Sequence, residues 1–294
     1  MDQSLLVFTT VVEQKNFTRA AELLHMTQPA VSNYIQSLEK NMGIKLLERT
    51  NKYVRLSKAG EIVFHHATEI LGLYARMERL IDDLKHTASG PISIGASYTF
   101  GEYILPHKIA SMLKMYPLVN PIITIKNSHE IINLLMKHKI DVGIIEGETN
   151  ADHLKMIPFA IDELSITVPS NHPLATANEI DPLLLHLETW LVREEGSGTR
   201  EMQEKGFKQM GFSPKKCRTF GSTQVIKESI EAGLGISILS HASIKNELEL
   251  GKVKILEIDG FPISRNFSII TPQVEFHTKA VEIFIESLVK KTTS

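Results

Sequence analysis

The sequence predicts an α/β protein in which a small, helical and basic domain precedes two α/β lobes. A chain of 294 residues is too long for one ordinary hydrophobic core. Strand-like and helix-like patterns alternate from residue 91 to the end of the chain. The first 60 residues hold eight Lys and Arg against five Asp and Glu, whereas the remainder holds 24 against 29. A basic end on an acidic body favours a nucleic-acid partner for that end.

The composition indicates which broad class of protein this is. Hydrophobic residues make up 43% and charged residues 22% of the chain, which is typical of a folded globular protein. No apolar run approaches the ~20 residues of a membrane span, and the N-terminal "MDQSLLVFTTVVEQKNF" lacks the basic start of a signal peptide. Cys217 is the only cysteine, so no intrachain disulfide can form. These features predict a protein of the reducing cytoplasm.

The stretch "AAELLHMTQPAVSNYIQSLE" has the pattern of two short helices separated by a turn. Thr18 can cap the first helix, and Thr27 or Gln28 begins the second, with Pro29 in its first turn. Apolar residues of the second helix recur at spacings of four and three, which predicts one buried stripe: Val31, Ile35 and Leu38.

The opposite face of the second helix carries short polar side chains: Gln28, Ser32, Asn33 and Gln36. Amides and hydroxyls can read base edges in the major groove, whereas charged side chains bind phosphate without reading sequence. The alternative is a solvated helix pair inside an all-α domain.

The residues that follow favour DNA binding over that alternative. "IKLLERT" and "YVRLS" predict a two-stranded hairpin with Asn51 and Lys52 at its tip. A hairpin that carries Arg49, Lys52 and Arg55 can lie along phosphates or enter the minor groove.

Residues 17–60 resemble the N-terminal winged helix-turn-helix of LysR-type transcriptional regulators. The matching positions are Phe17, Ala20, Ala21, Leu24, residues 27–32, Ile35, Leu38, Glu39, Gly43, Leu46, Leu47, Arg49, Leu56, Ser57 and Gly60. The resemblance implies that residues 1–60 bind double-stranded DNA. We expect base contacts from Gln28, Ser32, Asn33 and Gln36, further contacts from Thr27 and Pro29, and phosphate contacts from Arg19, Arg49, Lys52 and Arg55.

Residues 61–88 predict a long connecting helix. A heptad seam runs along it at alternating spacings of four and three: Val63, Ala67, Ile70, Tyr74, Met77, Ile81 and Leu84. Such a stripe predicts pairing with a second copy of the chain; the alternative is packing against the chain's own body. The family resemblance implies a homodimer or homotetramer. His65 and His66 are adjacent and do not share a helix face, so we expect them to face solvent rather than to bind a metal.

Residues 89–294 predict an effector domain with a mostly parallel sheet. The resemblance implies a two-lobed, periplasmic-binding-protein-like fold. We place lobe I at 91–161 with 267–294 and lobe II at 162–266, with crossovers near 161–165 and 261–267.

Two segments of this domain predict an effector site, "GASYTFGEYILP" and "REEGSGTRE". Hydroxyls and exposed amides where strands end and helices begin suit a small anionic or zwitterionic ligand. The candidate residues are Ser97, Thr99, Glu146, Ser197, Gly198, Thr199, Arg200, Thr223 and Gln224. The alternative for each Ser or Thr is helix capping. "REEGSGTRE" also resembles a turn of the subset that regulates sulfur assimilation and carbon fixation.

Two rival functions are weaker. Catalytic Ser, P-loop, dinucleotide and zinc motifs are missing from the sequence, so we expect no enzyme activity, cofactor or metal. Solute capture would require export and would leave residues 1–60 unexplained. The sequence therefore predicts a cytoplasmic regulator, and it leaves the effector, the operator, the oligomer size and the choice between activation and repression open.

Overall fold

The computed structural model describes residues 3–49, 53–83, 88–147, 153–177, 180–274 and 276–289. The chain forms two compact units, residues 1–85 and residues 86–294, and each is described by itself. No helix in these ranges is long and apolar enough to cross a membrane.

The first unit contains four helices and a hairpin. In chain order these are α1 Gln3–Gln14, α2 Phe17–Leu23, α3 Gln28–Met42, β1 Leu47–Arg49, β2 Val54–Leu56 and α4 Lys58–Asp83. Strands β1 and β2 pair antiparallel, as expected for a wing; the tip of the hairpin lies outside the described residues. The core joins α1, α2, α3 and β1 through residues such as Phe8, Ala20, Ile35 and Leu47.

Capping residues set the two helices of the turn, with one correction to the sequence analysis. Thr27 caps α3 by accepting from the backbone N–H of Ala30, and Pro29 lies in the first turn as predicted. Asn16 rather than Thr18 caps α2, since its side chain accepts from the N–H groups of Thr18 and Arg19. Helix α2 begins one residue before Thr18, which places Thr18 inside the helix, where its side chain cannot cap the start.

The predicted seam of helix α4 lies in two different environments. Ala67 is buried, and Val63 and Phe64 pack on the core of the same unit, so this part follows the alternative of packing against the chain's own body. Further along, three residues of the seam are exposed, Ile70, Met77 and Ile81, and so is the neighbouring Leu73, whereas Tyr74 of the seam is half-buried. Leu84 lies outside the described residues. The second part of the seam is therefore the part left for a partner.

His65 and His66 are exposed, as predicted, but their ring centres lie only 5.0 Å apart although the two residues do not share a helix face. Glu69 lies between them, 3.3 Å from Nε2 of His65 and 3.1 Å from Nδ1 of His66. Glu69 is four and three residues beyond the two histidines, and both of these spacings bring side chains together on a helix.

The second unit contains nine strands and seven helices in the described ranges. They are β3 Gly90–Ala96, α5 Tyr98–Tyr103, α6 Leu105–Met115, β4 Val119–Ile125, α7 Ser128–Met136, β5 Val142–Glu146, β6 Leu154–Pro169, β7 Thr189–Arg193, α8 Gly198–Gln209, β8 Lys216–Phe220, α9 Thr223–Glu231, β9 Ser237–Ser240, α10 His241–Glu249, β10 Val253–Ile255, β11 Ile263–Pro272 and α11 Lys279–Val289. Two 3₁₀ turns, Pro173–Thr176 and Pro182–Leu187, lie between β6 and β7.

The sheets are mixed, so the prediction of a mostly parallel sheet is wrong. Strand β3 pairs in parallel with β4 and β5, and β7 pairs in parallel with β8. Strand β11 runs antiparallel to β5 and β6, and β6 runs antiparallel to β9 and β10. One long strand leads from the first core of this unit to the second and the other leads back, so the two must run in opposite directions.

Strands β6 and β11 contribute to both hydrophobic cores of the second unit. Phe159 and Phe267 pack in the first core, which we call lobe I and which includes β3, β4, β5, α5, α6 and α11. Leu164 and Ile263 pack in the second core, lobe II, with β7, α8 and β9. The predicted crossovers at 161–165 and 261–267 fall within or overlap these two strands.

Candidate functional site

The polar face of α3 is presented to solvent. Gln28, Asn33 and Gln36 are exposed and Ser32 is half-buried, while Val31, Ile35 and Leu38 are buried on the other face. The side-chain amide of Gln28 donates to the hydroxyl of Ser32 at 2.9 Å. This bond fixes both side chains and leaves the Gln28 carbonyl oxygen as an acceptor and the Ser32 hydroxyl hydrogen as a donor.

The predicted phosphate contacts are only partly described. Arg19 is exposed on α2, and Arg55 is exposed on β2 with its guanidinium 4.7 Å from the ring centre of Tyr53. Lys52 and the side chain of Arg49 lie outside the described residues. Thr27 and Pro29 are exposed at the start of α3, beside the polar face.

Most of the predicted effector residues lie where strands of the second unit end. Ser97 follows β3, Glu146 ends β5, Ser197 and Thr199 follow β7, and Thr223 follows β8. The carboxyl ends of these strands meet at the junction of the lobes, which is where α/β sheets bind ligands. Gly198 lies so close to Glu146 that a Cβ atom there would overlap its backbone oxygen.

A guanidinium that the sequence analysis missed fills the centre of this region. Arg265 of β11 contacts Glu146 through Nη1 at 2.7 Å and Asp162 through Nη2 at 2.7 Å. It also donates to the hydroxyls of Thr99 at 3.1 Å and Thr199 at 3.2 Å. The two predicted segments therefore meet at one buried cation rather than at an open pocket.

The carboxylate of Glu146 accepts hydrogen bonds from the same donors that were expected to bind an effector. Its Oε1 accepts from the backbone N–H of Thr99 at 2.9 Å, and its Oε2 accepts from the hydroxyl of Thr199 at 3.2 Å. The protein's own carboxylate thus has the environment that was predicted for a ligand's anion.

The carboxylates of Glu146 and Asp162 share the guanidinium of Arg265, and their pKa values shift in opposite directions. Burial alone would raise the pKa of Glu146, but the charge of Arg265, the Thr99 hydrogen bonds and the nearby Ser97 hydroxyl outweigh it, so that pKa is lowered. Burial raises the pKa of Asp162, and Arg265 offsets only part of this rise. A guanidinium shared between two acids leaves a net charge of about −1 in the cluster.

A second buried arginine lies near the same junction. Arg193 ends β7, and its guanidinium contacts Glu194, the hydroxyl of Thr223 and the ring of Tyr98. Lys227 of α9 is buried too, 2.7 Å from Glu247 and 4.7 Å from the ring centre of Tyr103. Gln224 accepts a long hydrogen bond of 3.4 Å from the hydroxyl of Tyr103, so the two lobes also touch here.

The capping alternative does not account for Ser97 or Ser197. Both occupy N-cap positions, of α5 and α8, but neither side chain makes a capping hydrogen bond. Ser97 is buried, and its hydroxyl has no hydrogen-bond partner among the described residues. Arg200 is directed elsewhere, since it donates to Glu204 at 2.8 Å and to the carbonyl oxygen of Arg193 at 3.1 Å.

The missed residues carry only a weak local signal. Asp162, Arg193, Lys227 and Arg265 are charged residues within strand or helix patterns, where the usual expectation is exposure. A charge at a position whose strand neighbours are all apolar was the available sign, as in "TWLVRE". The partners themselves are up to 166 residues away along the chain, as for Thr99 and Arg265.

Comparisons with known proteins agree with this architecture. Residues 85–293 match the family described as LysR substrate binding domain, and residues 3–61 match the family described as bacterial regulatory helix-turn-helix protein, lysR family. The chain is 39% identical over 284 residues to the HTH-type transcriptional regulator CysL of Bacillus subtilis (strain 168), which covers 97% of this chain and 95% of that protein. Several other relatives, 30–31% identical over 97–98% of this chain, are described as probable RuBisCO transcriptional regulators.

Solved structures show the same fold. Full-length CbnR complexed with its target DNA matches with a TM-score of 0.74 and 22% identity over 98% of both chains. The CcmR regulatory domain of Synechocystis PCC6803 in complex with 2-PG (2-phosphoglycolate) matches with a TM-score of 0.63 and 25% identity. That match covers 69% of this chain and 99% of the CcmR domain.

The chain belongs to the LysR family of bacterial helix-turn-helix transcriptional regulators. It is a regulator rather than an enzyme, as predicted, and its relatives confirm the resemblance to the sulfur-assimilation and carbon-fixation subset. Family members bind DNA and small effectors and form oligomers.

Proposed function

We propose that α3 reads the operator through Gln28, Ser32, Asn33 and Gln36, and that Arg19, Arg49, Lys52 and Arg55 hold the phosphates. The observation that supports this most is the hydrogen bond from Gln28 to Ser32 on an exposed helix face. A preset donor and acceptor lose little entropy when they meet a base edge. CbnR, which shares the fold, is complexed with its target DNA.

Truncating this face tests the assignment. Gln28→Ala and Asn33→Ala should each weaken operator binding by about 1–3 kcal/mol and relax the preference at one base pair. Arg55→Ala should weaken binding to all sequences and reduce the salt dependence. Asn41→Ala, in the last turn of α3, removes an exposed amide as a matched control. Unchanged operator affinity and preference in the Gln28 and Asn33 variants would overturn the assignment.

We further propose that a small anionic effector binds at the junction of the lobes and shifts the operator-bound or transcriptional state. The supporting observation is the buried, unpartnered hydroxyl of Ser97, beside the donors that Glu146 uses. An unpaired buried hydroxyl is costly unless a ligand or water completes it. CcmR, a neighbour in fold, is described in complex with 2-PG.

Ser97→Ala is the direct test because it removes a buried hydroxyl that lies near Glu146 but makes no hydrogen bond of ordinary geometry within the described residues. The melting temperature would be measured against sulfate, sugar phosphates, dicarboxylates and 2-phosphoglycolate, since a ligand of the native state raises it by mass action. The variant should lose the response and keep operator binding. Ser268→Ala deletes another buried, unpartnered hydroxyl, in β11, and should keep the response. The opposite pattern would remove Ser97 from the site.

We assign residues 1–60 to DNA binding, 61–88 to oligomer formation and 89–294 to the effector, with lobes at 91–161 with 267–294 and at 162–266. A second copy covers the exposed stripe of α4, which gives a dimer or a tetramer in the cytoplasm. The single cysteine and the family support the cytoplasmic assignment.

A further inference from the structure

We propose that Arg193 anchors the acidic group of the effector, and that Glu194 is a built-in competitor for the same position. This inference rests on the effector junction proposed above and names the group within it that binds the anion. The effector is then an acid that presents two oxygens of a carboxylate or a phosphate side by side.

Arg193 is held rigidly with its charge in place. Its backbone N–H donates to Gln203 at 3.0 Å, and its carbonyl oxygen accepts from Arg200 at 3.1 Å. The side chain is 1% exposed, Nη1 donates to the hydroxyl of Thr223 at 2.9 Å, and the guanidinium lies 4.5 Å from the ring centre of Tyr98. A guanidinium fixed on both sides in this way is preorganised for one partner.

Glu194 contacts Arg193 in the geometry that an acidic ligand would adopt. Nε of the guanidinium donates to Oε2 at 2.8 Å and Nη2 donates to Oε1 at 2.8 Å. Two parallel charge-assisted bonds to a pair of oxygens on one atom form the arrangement by which arginine binds carboxylates and phosphates. The side chain of Glu194 therefore marks where a ligand's oxygens would lie.

Glu194 can leave this position without disturbing the fold. Its side chain is 27% exposed, so water reaches it, and Glu194 directly follows Arg193 in the chain. Rotation about its own side-chain bonds frees the guanidinium while the backbone stays in place. Besides Arg193, its carboxylate accepts from its own backbone N–H and, at a long 3.3 Å, from the side-chain amide of Asn127.

The other two buried cations at the junction are less available. Arg265 is bound by Glu146 on β5 and Asp162 on β6, the two strands on either side of β11. Both carboxylates are nearly fully buried. Lys227 is bound by Glu247 and by the carbonyl oxygen of Ser243. An anion near Arg265 would also meet the net negative charge of that cluster, whereas Arg193 hydrogen-bonds the carboxylate of Glu194, which can move away. Glu102 is a further carboxylate within electrostatic reach of Arg193 and Lys227.

A tethered carboxylate acts at a high effective concentration. A simple anion should therefore bind the wild type weakly, and the natural effector needs further contacts in addition to its acidic group. Removing the competitor should reverse this. A carboxylate with a purely structural role would have the opposite effect, because its loss would leave the site disordered and ligand binding weaker.

The test is calorimetric binding of inorganic phosphate and of 2-phosphoglycolate to the full-length protein. Glu194→Gln should bind both probes about tenfold or more tightly than the wild type, since the amide leaves one neutral acceptor in place of two charged ones to compete for the guanidinium. Glu195→Gln removes the neighbouring exposed carboxylate and should bind as the wild type does. Adding Arg193→Lys to Glu194→Gln keeps the charge but removes the fork, and the gain should disappear.

The inference is overturned if Glu194→Gln binds neither probe more tightly, or if Glu195→Gln gains as much. It is also overturned if the gain survives Arg193→Lys. Each of these results leaves the effector junction to be decided by the Ser97→Ala and Ser268→Ala comparison. If both serine variants keep the effector response and Glu194→Gln still binds the probes more tightly, Arg193 is an anion site and the proposed effector junction around Ser97 is wrong.

Discussion

Glu39 shows how single buried charges position the functional surfaces. Its side chain accepts from the backbone N–H groups of Leu46 and Leu47 and from the ammonium of Lys45, which ties β1 to the end of α3. Burial alone would raise the pKa of Glu39, but the Lys45 hydrogen bond and the two amides outweigh it and lower that pKa. The wing is thus held to the recognition helix by an ionised carboxylate.

We predict that Glu39→Gln destabilises the first unit by about 1–3 kcal/mol at neutral pH, because charge-assisted hydrogen bonds are lost. A lowered folded-state pKa gives stability that is present above the ordinary carboxyl pKa and lost as pH falls through the folded value. The difference between wild type and variant in thermal unfolding should therefore shrink in acid. Glu48→Gln, at an exposed neighbouring position, is the control. A difference that does not vary with pH would contradict the role given to the charge.

At the scale of elements, α4 combines two kinds of packing along one helix. Its first half completes the core of its own unit, and its second half exposes Ile70, Leu73, Met77 and Ile81 at helical spacing. A row of apolar side chains on one helix face is stable in water when another helix covers it. We therefore predict that oligomer formation and operator binding are linked through this element, since the two helix-turn-helix units of a dimer would contact two half-sites.

Introducing charge into the exposed row tests that link. The pair Ile70→Glu and Met77→Glu should dissociate the oligomer and weaken operator binding at least about tenfold, since single half-site contacts remain. Sedimentation velocity and operator titration would measure both effects. Ala75→Glu adds the same charge at an exposed position away from the row and should leave the oligomer intact. Dissociation by Ala75→Glu as well would show that net charge rather than the row governs assembly.

At the scale of the effector-binding unit, the cluster around Arg265 joins both lobes to the strands that connect them. Glu146 and Thr99 belong to lobe I and Thr199 to lobe II, while Asp162 and Arg265 lie on β6 and β11. Any movement of the lobes must rearrange this cluster. A buried ion cluster of this kind sets which arrangement is stable more than how stable it is.

We predict that Arg265→Met destabilises the protein by about 3–5 kcal/mol, because Glu146 and Asp162 remain buried without a counter-charge. Adding Glu146→Gln and Asp162→Asn to the same chain should recover most of that loss, since no uncompensated charge remains. Urea unfolding of the full-length chain measures both steps. Failure of the triple variant to recover would show that shape rather than charge makes Arg265 necessary.

Local features were readable in the sequence because their causes are local. The turn before α3, its Thr27 cap, its Pro29 start and its buried stripe all depend on residues within one or two turns of helix. The wing strands and most helices and strands of the second unit were predicted for the same reason. Asn16 and Thr18 were the exception, since both can cap and only the observed helix start decides between them.

The centre of the candidate site was decided by tertiary structure. Arg265 meets Glu146, Asp162, Thr99 and Thr199 only because β11 returns antiparallel between β5 and β6, and the strand periods alone do not encode that order. The same return makes the sheet mixed. By itself the sequence determined the family and the strand ends that meet at the lobe junction, and it predicted the polar face of α3 as the face that reads DNA. Only the fold decided which charges are buried there, because a buried charge is set by partners that are distant in the chain.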